Sequence, residues 1–291
     1  MNSKTLIHLW LVLATLAGCA TVRRELSHAL ISDQTEIELG TKLAAQIEAE
    51  ERVHPDSRLQ AHIQRVARPL IAEAQHERPG IRYQIKVIDD PAQINAFAAP
   101  GGFLYVYSGL LLVASDEAEV AGVLGHEIGH IVGRHSANQL AAQFGIELLA
   151  GLALGEDPYK LGQIASQLSG ARFSRDDERE ADVFGVKYTV AAGYDPRGLM
   201  DFFNKLKELE ARPPSDLEKL FSSHPPTGER IRRIEQLITE HGPTGGRTAP
   251  RALFARHRSA APGARGKKIA APAQKMRAPL HRLLYSKQSA Q

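Results

Sequence analysis

A single cysteine, no long hydrophobic run beyond the first residues and no acidic side chain in the last fifty positions are the conspicuous shortages of this 291-residue chain. With only Cys19, an intramolecular disulfide is excluded. Past the first residues the most apolar run, IELLAGLALG, is ten residues long and contains Glu147, too short and too polar to span a bilayer. No repeat of fixed period is visible, which excludes a solenoid. Residues 242–291 carry eleven Lys or Arg, five prolines and no Asp or Glu, leaving 25 of the chain's 36 basic residues to face all 33 acidic ones elsewhere. The formal charge of +3 is therefore the average of an acidic body and a basic tail. Such a tail reads as disordered, and its charge fits anionic lipid or lipopolysaccharide.

What is present is enough apolar composition, 43%, to bury a core. Residues 1–18 place Lys4 before about a dozen mostly apolar residues, the pattern of a secretory signal. They run into LAGC, which resembles the bacterial lipoprotein signal, with Leu16 and Gly18 flanking the cleavage and Cys19 as the acylated residue. Ala20 after that cysteine, by the same resemblance, points to the periplasmic face of the outer membrane. Several acyl chains, at about 0.8 kcal/mol per buried CH2, give a stable anchor. Nucleic acid is not a partner for such an exported protein.

The chain divides into a signal (1–18), a lipid-anchored linker (19–31), a main domain (32–241) and the tail (242–291). TEIELGTKLAAQIEAEER and DSRLQAHIQRVARPLIAEAQHE carry apolar residues three and four apart, predicting amphipathic helices. IRYQIKVID alternates, and AFAAPGGFLYVYSG sets Pro100-Gly101-Gly102 between two β-rich runs, predicting a small antiparallel or mixed sheet. Helical patterns resume near Ser115 and run to about His241, with breaks near residues 155–158, 193–196 and 212–215. The class is α+β, mostly helical.

GVLGHEIGHIVGRHS, residues 122–136, concentrates polar chemistry in an apolar, glycine-rich setting. Asp116 and Glu119 make a capping box that starts a helix before it. His126 and His130 then lie about 40° apart around the axis and about 6 Å along it, so both imidazoles can converge on one ion. Glu127 lies about 100° to the side, placed to take a proton from water and not to ligate. His135 is read as incidental, because on a continuing helix it points about 140° away from His130. A catalytic zinc takes three protein ligands. FSRDDEREADVFG can supply the third, since Glu178 and Asp182 share one helix face, the first as ligand and the second orienting a histidine. Gly122, Gly125, Gly129 and Gly133 form one stripe, costing the helix about 3–4 kcal/mol relative to alanine and marking a close backbone neighbour, with the Glu178 helix as the candidate. FLYVYSG admits two readings, a sheet edge that pairs with extended substrate or a strand of packing residues Phe103, Tyr105 and Tyr107.

HEIGH, SRDDEREAD and the later SSHPPTGERI, in that order, resemble peptidase family M48, the HtpX-type zinc metallopeptidases, and in particular its short bacterial lipoprotein members. The resemblance covers roughly residues 32–241. It implies a zincin-like (gluzincin) domain with the sheet beside the HExxH helix and one Zn2+ per chain. It further implies His126, His130 and Glu178 as ligands, Glu127 as catalytic base and Asp182 as their support. It places His224, in an extended segment before two prolines, near the site as an oxyanion or regulatory group. The activity implied is zinc-dependent endopeptidase hydrolysis of misfolded or damaged envelope and outer-membrane proteins. No helical repeat domain follows SSHPPTGERI, so no partner in barrel assembly is inherited. The competing classes are a membrane-tethered chaperone or binding module with little proteolysis, and a zinc hydrolase of other specificity such as an aminopeptidase.

Overall fold

The computed structural model describes residues 31–210, 223–241 and 246–248. Cys19, the signal segment, the break expected at 212–215 and nearly all of the basic tail lie outside the described residues.

Two helices open the fold. Helix α1 (Asp33–Glu50) starts where the Ser32 side chain accepts from Thr35 N, and α2 (Ser57–Glu77) where Asp56 accepts from Arg58 N. Each such cap stabilises its helix by about 1 kcal/mol. Strands β1 (Gln84–Ile88), β2 (Ala96–Ala99) and β3 (Phe103–Tyr107) then form a mixed sheet in the order β1-β3-β2. β3 runs parallel to β1 and antiparallel to β2. The short 3-10 turn Pro100–Gly102 joins β2 to β3, with Gly101 at φ 78° and Gly102 at φ 99°, backbone that L side chains rarely adopt.

β3 is central and all five of its side chains are buried, so the edge-strand reading of FLYVYSG fails and the packing reading holds. The continuous apolar run suits a strand covered on both faces. Leu104 and Val106 point to one core with α2 and the later helices, while Phe103, Tyr105 and Tyr107 point to the other, with α1. This is the two-residue period of a strand dividing the molecule into two layers.

The remaining helices among the described residues are α3 (Ser108–Val113), α4 (Glu117–Val132), α5 (His135–Phe144), α6 (Ile146–Leu154), α7 (Pro158–Leu168), α8 (Arg175–Ala191), α9 (Gly198–Glu210) and α10 (Gly228–His241). α4 lies in the first core against α2, α8 and α9 and beside β2. α6 and α7 cover the second core with Leu149, Leu152, Leu161 and Ile164. No described helix is long and apolar enough to cross a membrane. The breaks expected near 155–158 and 193–196 separate α6 from α7 and α8 from α9.

Buried Glu36 on α1 ties the two layers together. It accepts from Arg78 Nη1 (3.3 Å) and Nη2 (3.2 Å), Arg134 Nε (2.8 Å) and Gly101 N (3.2 Å). Arg78 Nη1 also donates to Ile131 O at 2.9 Å, which holds the end of α4.

Candidate metal centre

Asp116 caps α4 by accepting from Glu119 N at 3.0 Å, but Glu119 Oε2 accepts from Ser115 N (2.8 Å) and not from Asp116, so the expected box is only half closed. Lys205 of α9 pairs with Glu119 at 2.5 Å. From this start every residue of Ala118–Val132 is buried. The glycine stripe explains how polar groups reach such a place. A Cβ at Gly129 would stand 3.0 Å from Ala181 Cα, and one at Gly125 3.1 Å from Gly185 O, so α8 rests directly on α4 there. The other two stripe positions face different neighbours, Leu199 N at 2.5 Å from Gly122 and the His135 ring at 2.3 Å from Gly133.

α8 has a closed capping box, Ser174 with Asp177, and presents Glu178 and Asp182 from one face. His224, in the short segment just before α10, joins them. His126, His130, Glu178 and His224 thereby each offer one ligand atom, all within 4.8 Å of one another. His126 Nε2 is 3.1 Å from His130 Nε2 and 3.5 Å from Glu178 Oε2. His130 Nε2 is 3.5 Å from Glu178 Oε1, and His224 Nδ1 is 2.8 Å from the same oxygen. Glu127, 1% exposed, lies beside the cluster with its Oε1 3.6 Å from His224 Nε2 and its Oε2 without a hydrogen-bond partner among the described residues.

The surroundings set the charges. His126 Nδ1 is 3.1 Å from Asp182 Oδ1, within ion-pair reach though off the line of a hydrogen bond. Arg230 of α10, which sequence reasoning missed, bridges both carboxylates of α8. Its Nη1 is 2.6 Å from Glu178 Oε2, and its Nε and Nη2 donate to Asp182 at 2.9 and 2.6 Å. Burial alone would raise the Glu178 carboxyl, yet His224, His126 and Arg230 hold it well below the usual carboxylate range. Asp182 is likewise lowered against its burial, chiefly by Arg230. Burial would lower His126, but Asp182 and Glu178 push it up to about 9. Burial and the neighbouring His126 push His130 well down. Glu127 is raised by its burial. Phe173 stacks on His130 at 4.1 Å between ring centroids and walls one side.

These residues fit a zinc-type ion. Neutral imidazole nitrogens and one carboxylate are its ordinary donors. Two imidazole Nε2 atoms face each other across 3.1 Å, next to an ionised carboxylate, in a site with no water access at His130, which is 0% exposed. Either a bound cation or one ring N–H must lie between lone pairs crowded in this way.

His135 differs from expectation. α4 does not continue through it: Gly133 closes the helix, Arg134 takes left-handed φ 57°, and α5 begins at His135. The ring turns back toward the site, with Nδ1 2.9 Å from His130 Nδ1. Glycine at 133 is the one local signal of this break. Neither Arg134 nor the spacing announces it, and Arg230 had no signal short of the fold.

Comparison with known proteins agrees with the geometry. A family model described as peptidase family M48 matches residues 56–238. The chain is 33% identical to metalloprotease YcaL of Escherichia coli (strain K12) over 165 residues, 54% of this chain and 62% of that protein. It is 32% identical to metalloprotease LoiP of the same organism over 161 residues, 53% and 61% of the two chains. With the beta-barrel assembly-enhancing protease of Yersinia pestis it shares 27% identity over 216 residues, 70% of this chain and 44% of that one. The matched part thus spans less than two thirds of each of these relatives.

Proposed function

The chain belongs to peptidase family M48, and from that membership we propose that it is a zinc metalloendopeptidase held at the periplasmic face of the outer membrane by lipidated Cys19. The observation that carries the chemistry is the convergence of His126, His130 and Glu178 on one buried point, with Glu127 beside it. These three would hold the ion, one per chain. A bound divalent ion supplies Lewis-acid polarisation of a peptide carbonyl and makes a nearby water more acidic.

The chain's own groups do the rest. Glu127 Oε2, buried and without a hydrogen-bond partner among the described residues, accepts a proton from the attacking water and passes it to the leaving amine. Its pKa, raised by burial, makes it a better proton acceptor than an ordinary carboxylate. Asp182 orients His126 from Nδ1, and Arg230 keeps Asp182 and Glu178 ionised in a dry setting. His224, 3.6 Å from Glu127, is placed to donate to a developing oxyanion. Its replacement by alanine is expected to reduce activity or metal affinity, and a variant equal to wild type in both would remove it from the mechanism.

The signal-like residues 1–19 support the envelope location, and similarity to a protein named for beta-barrel assembly supports misfolded envelope and outer-membrane proteins as substrates. The basic tail adds an affinity for anionic lipid or lipopolysaccharide. The test uses the chain with Cys19→Ser, its metal content, and cleavage of an unfolded protein beside Glu127→Gln. A variant that retains zinc while losing about 100-fold or more in cleavage is expected. Equal cleavage by both proteins overturns the peptidase and leaves a tethered chaperone or binding module.

A further inference from the structure

His135 is buried, charged neighbours surround it, and the hydrolytic scheme does not use it. The left-handed backbone at Arg134 swings its ring under His130, with centroids 4.9 Å apart. Gly133 leaves the room, since a Cβ there would come within 2.3 Å of His135 Nε2. Ser136 pins the turn by donating from Oγ to Ala98 O of β2 at 2.7 Å. On its far side the ring meets α8, with Nε2 3.0 Å from Glu180 Oε2 and 3.6 Å from Asp177 Oδ1.

These contacts determine where the protons sit. An ionised carboxylate only accepts, so His135 Nε2 carries hydrogen and donates to Glu180. In the neutral ring Nδ1 is then bare and accepts from His130 Nδ1 across 2.9 Å. His130 in turn has a bare Nε2, the atom that faces His126 and Glu178. A ligand histidine is commonly held in this way by a partner at its other nitrogen.

We infer that His135 is a positioning residue: backed by Glu180 and Asp177, it fixes the tautomer and ring orientation in which His130 offers Nε2 to the metal. The inference rests on the proposal that His130 is a ligand. Because Glu180 and Asp177 belong to α8, as Glu178 does, the relay also locks the ligands of α4 and α8 into one geometry.

The experiment compares the full chain with His135→Phe, which keeps the ring's bulk, and His135→Asn, whose side-chain oxygen can still accept near the Nδ1 position. Zinc affinity is measured by competition with a chromogenic chelator, and thermal unfolding of the metal-free proteins checks that each is folded. Nitrogen NMR of the metal-free proteins reads the His130 tautomer. The expected result is a zinc affinity about 10- to 100-fold weaker for His135→Phe, a smaller loss for His135→Asn, and a His130 protonated at Nδ1 in wild type but not in His135→Phe. A folded His135→Phe with wild-type affinity, or equal losses in the two variants, overturns the inference. A wild-type chain that takes up no zinc overturns the ligand reading instead, and the His130 tautomer then still decides the relay.

Discussion

At the residue scale the centre is a problem of charge: the carboxylates of Glu127, Glu178 and Asp182 are buried with the imidazoles of His126, His130 and His224, and Arg230 is the fixed cation that makes this tolerable. Removing one partner of a buried ion pair typically costs about 3–5 kcal/mol, because the remaining charge is left uncompensated. Arg230→Ala should therefore lower stability by about that much in urea unfolding of the metal-free chain. Arg230→Lys should recover only part of it, since a lysine cannot bridge Glu178 and Asp182 with a planar fork. The residues that carry local spacing were legible without a structure. His126, Glu127 and His130 follow from one turn of helix, and Glu178 with Asp182 from another. Arg230 was not legible, because its partners are 52 and 48 positions away in sequence and its own surroundings, SSHPPTGERI, give no sign of burial. His135 was misread for a different reason: rotation along a helix is a sound argument only while the helix lasts.

At the element scale, α4 is placed by absent side chains. Gly122 meets the first turn of α9, and a Cβ there would lie 2.5 Å from Leu199 N. Alanine would improve the helix by about 1 kcal/mol but overpack the contact by about 1–3 kcal/mol, with rigid backbone as the obstacle. Gly122→Ala is thus expected to lose stability on balance, measured as a lower urea midpoint at unchanged slope. The stripe itself was visible in the sequence, and α8 was rightly expected at Gly125 and Gly129. That α9 and a histidine ring fill the other two places was not, because a glycine records closeness and not the identity of what is close. The sheet shows the same limit. Alternation and the Pro-Gly-Gly turn gave its strands, but β3 lies at the centre because β1 returns parallel to it, and strand order is set by chain path beyond the turn.

At the scale of the whole molecule, two polar hubs hold the layers together, the metal centre and Glu36. Glu36→Ala would take the buried carboxylate from Arg78 and Arg134, leave them the half-exposed Asp33, and release Gly101 N. With Asp33 still pairing both arginines, the loss expected is about 2–3 kcal/mol, which for a body of this size is a melting temperature lower by about 4–12 °C. The α4 end held through Ile131 O would loosen as well, so zinc affinity should fall along with stability. Zinc at about 100 times its Kd should raise stability by about 2.7 kcal/mol, seen as a higher melting temperature that chelator reverses. The two hubs draw on residues far apart in the chain, and composition alone reveals neither.

His126 and His224 meet across 98 positions of sequence. At ordinary synthesis speeds of about 5–20 residues per second, several seconds separate the appearance of the first from that of the second. For that interval a growing polypeptide has the histidine pair but neither His224 nor Arg230. The order of the residues thereby leaves the centre incomplete until translation has passed Arg230.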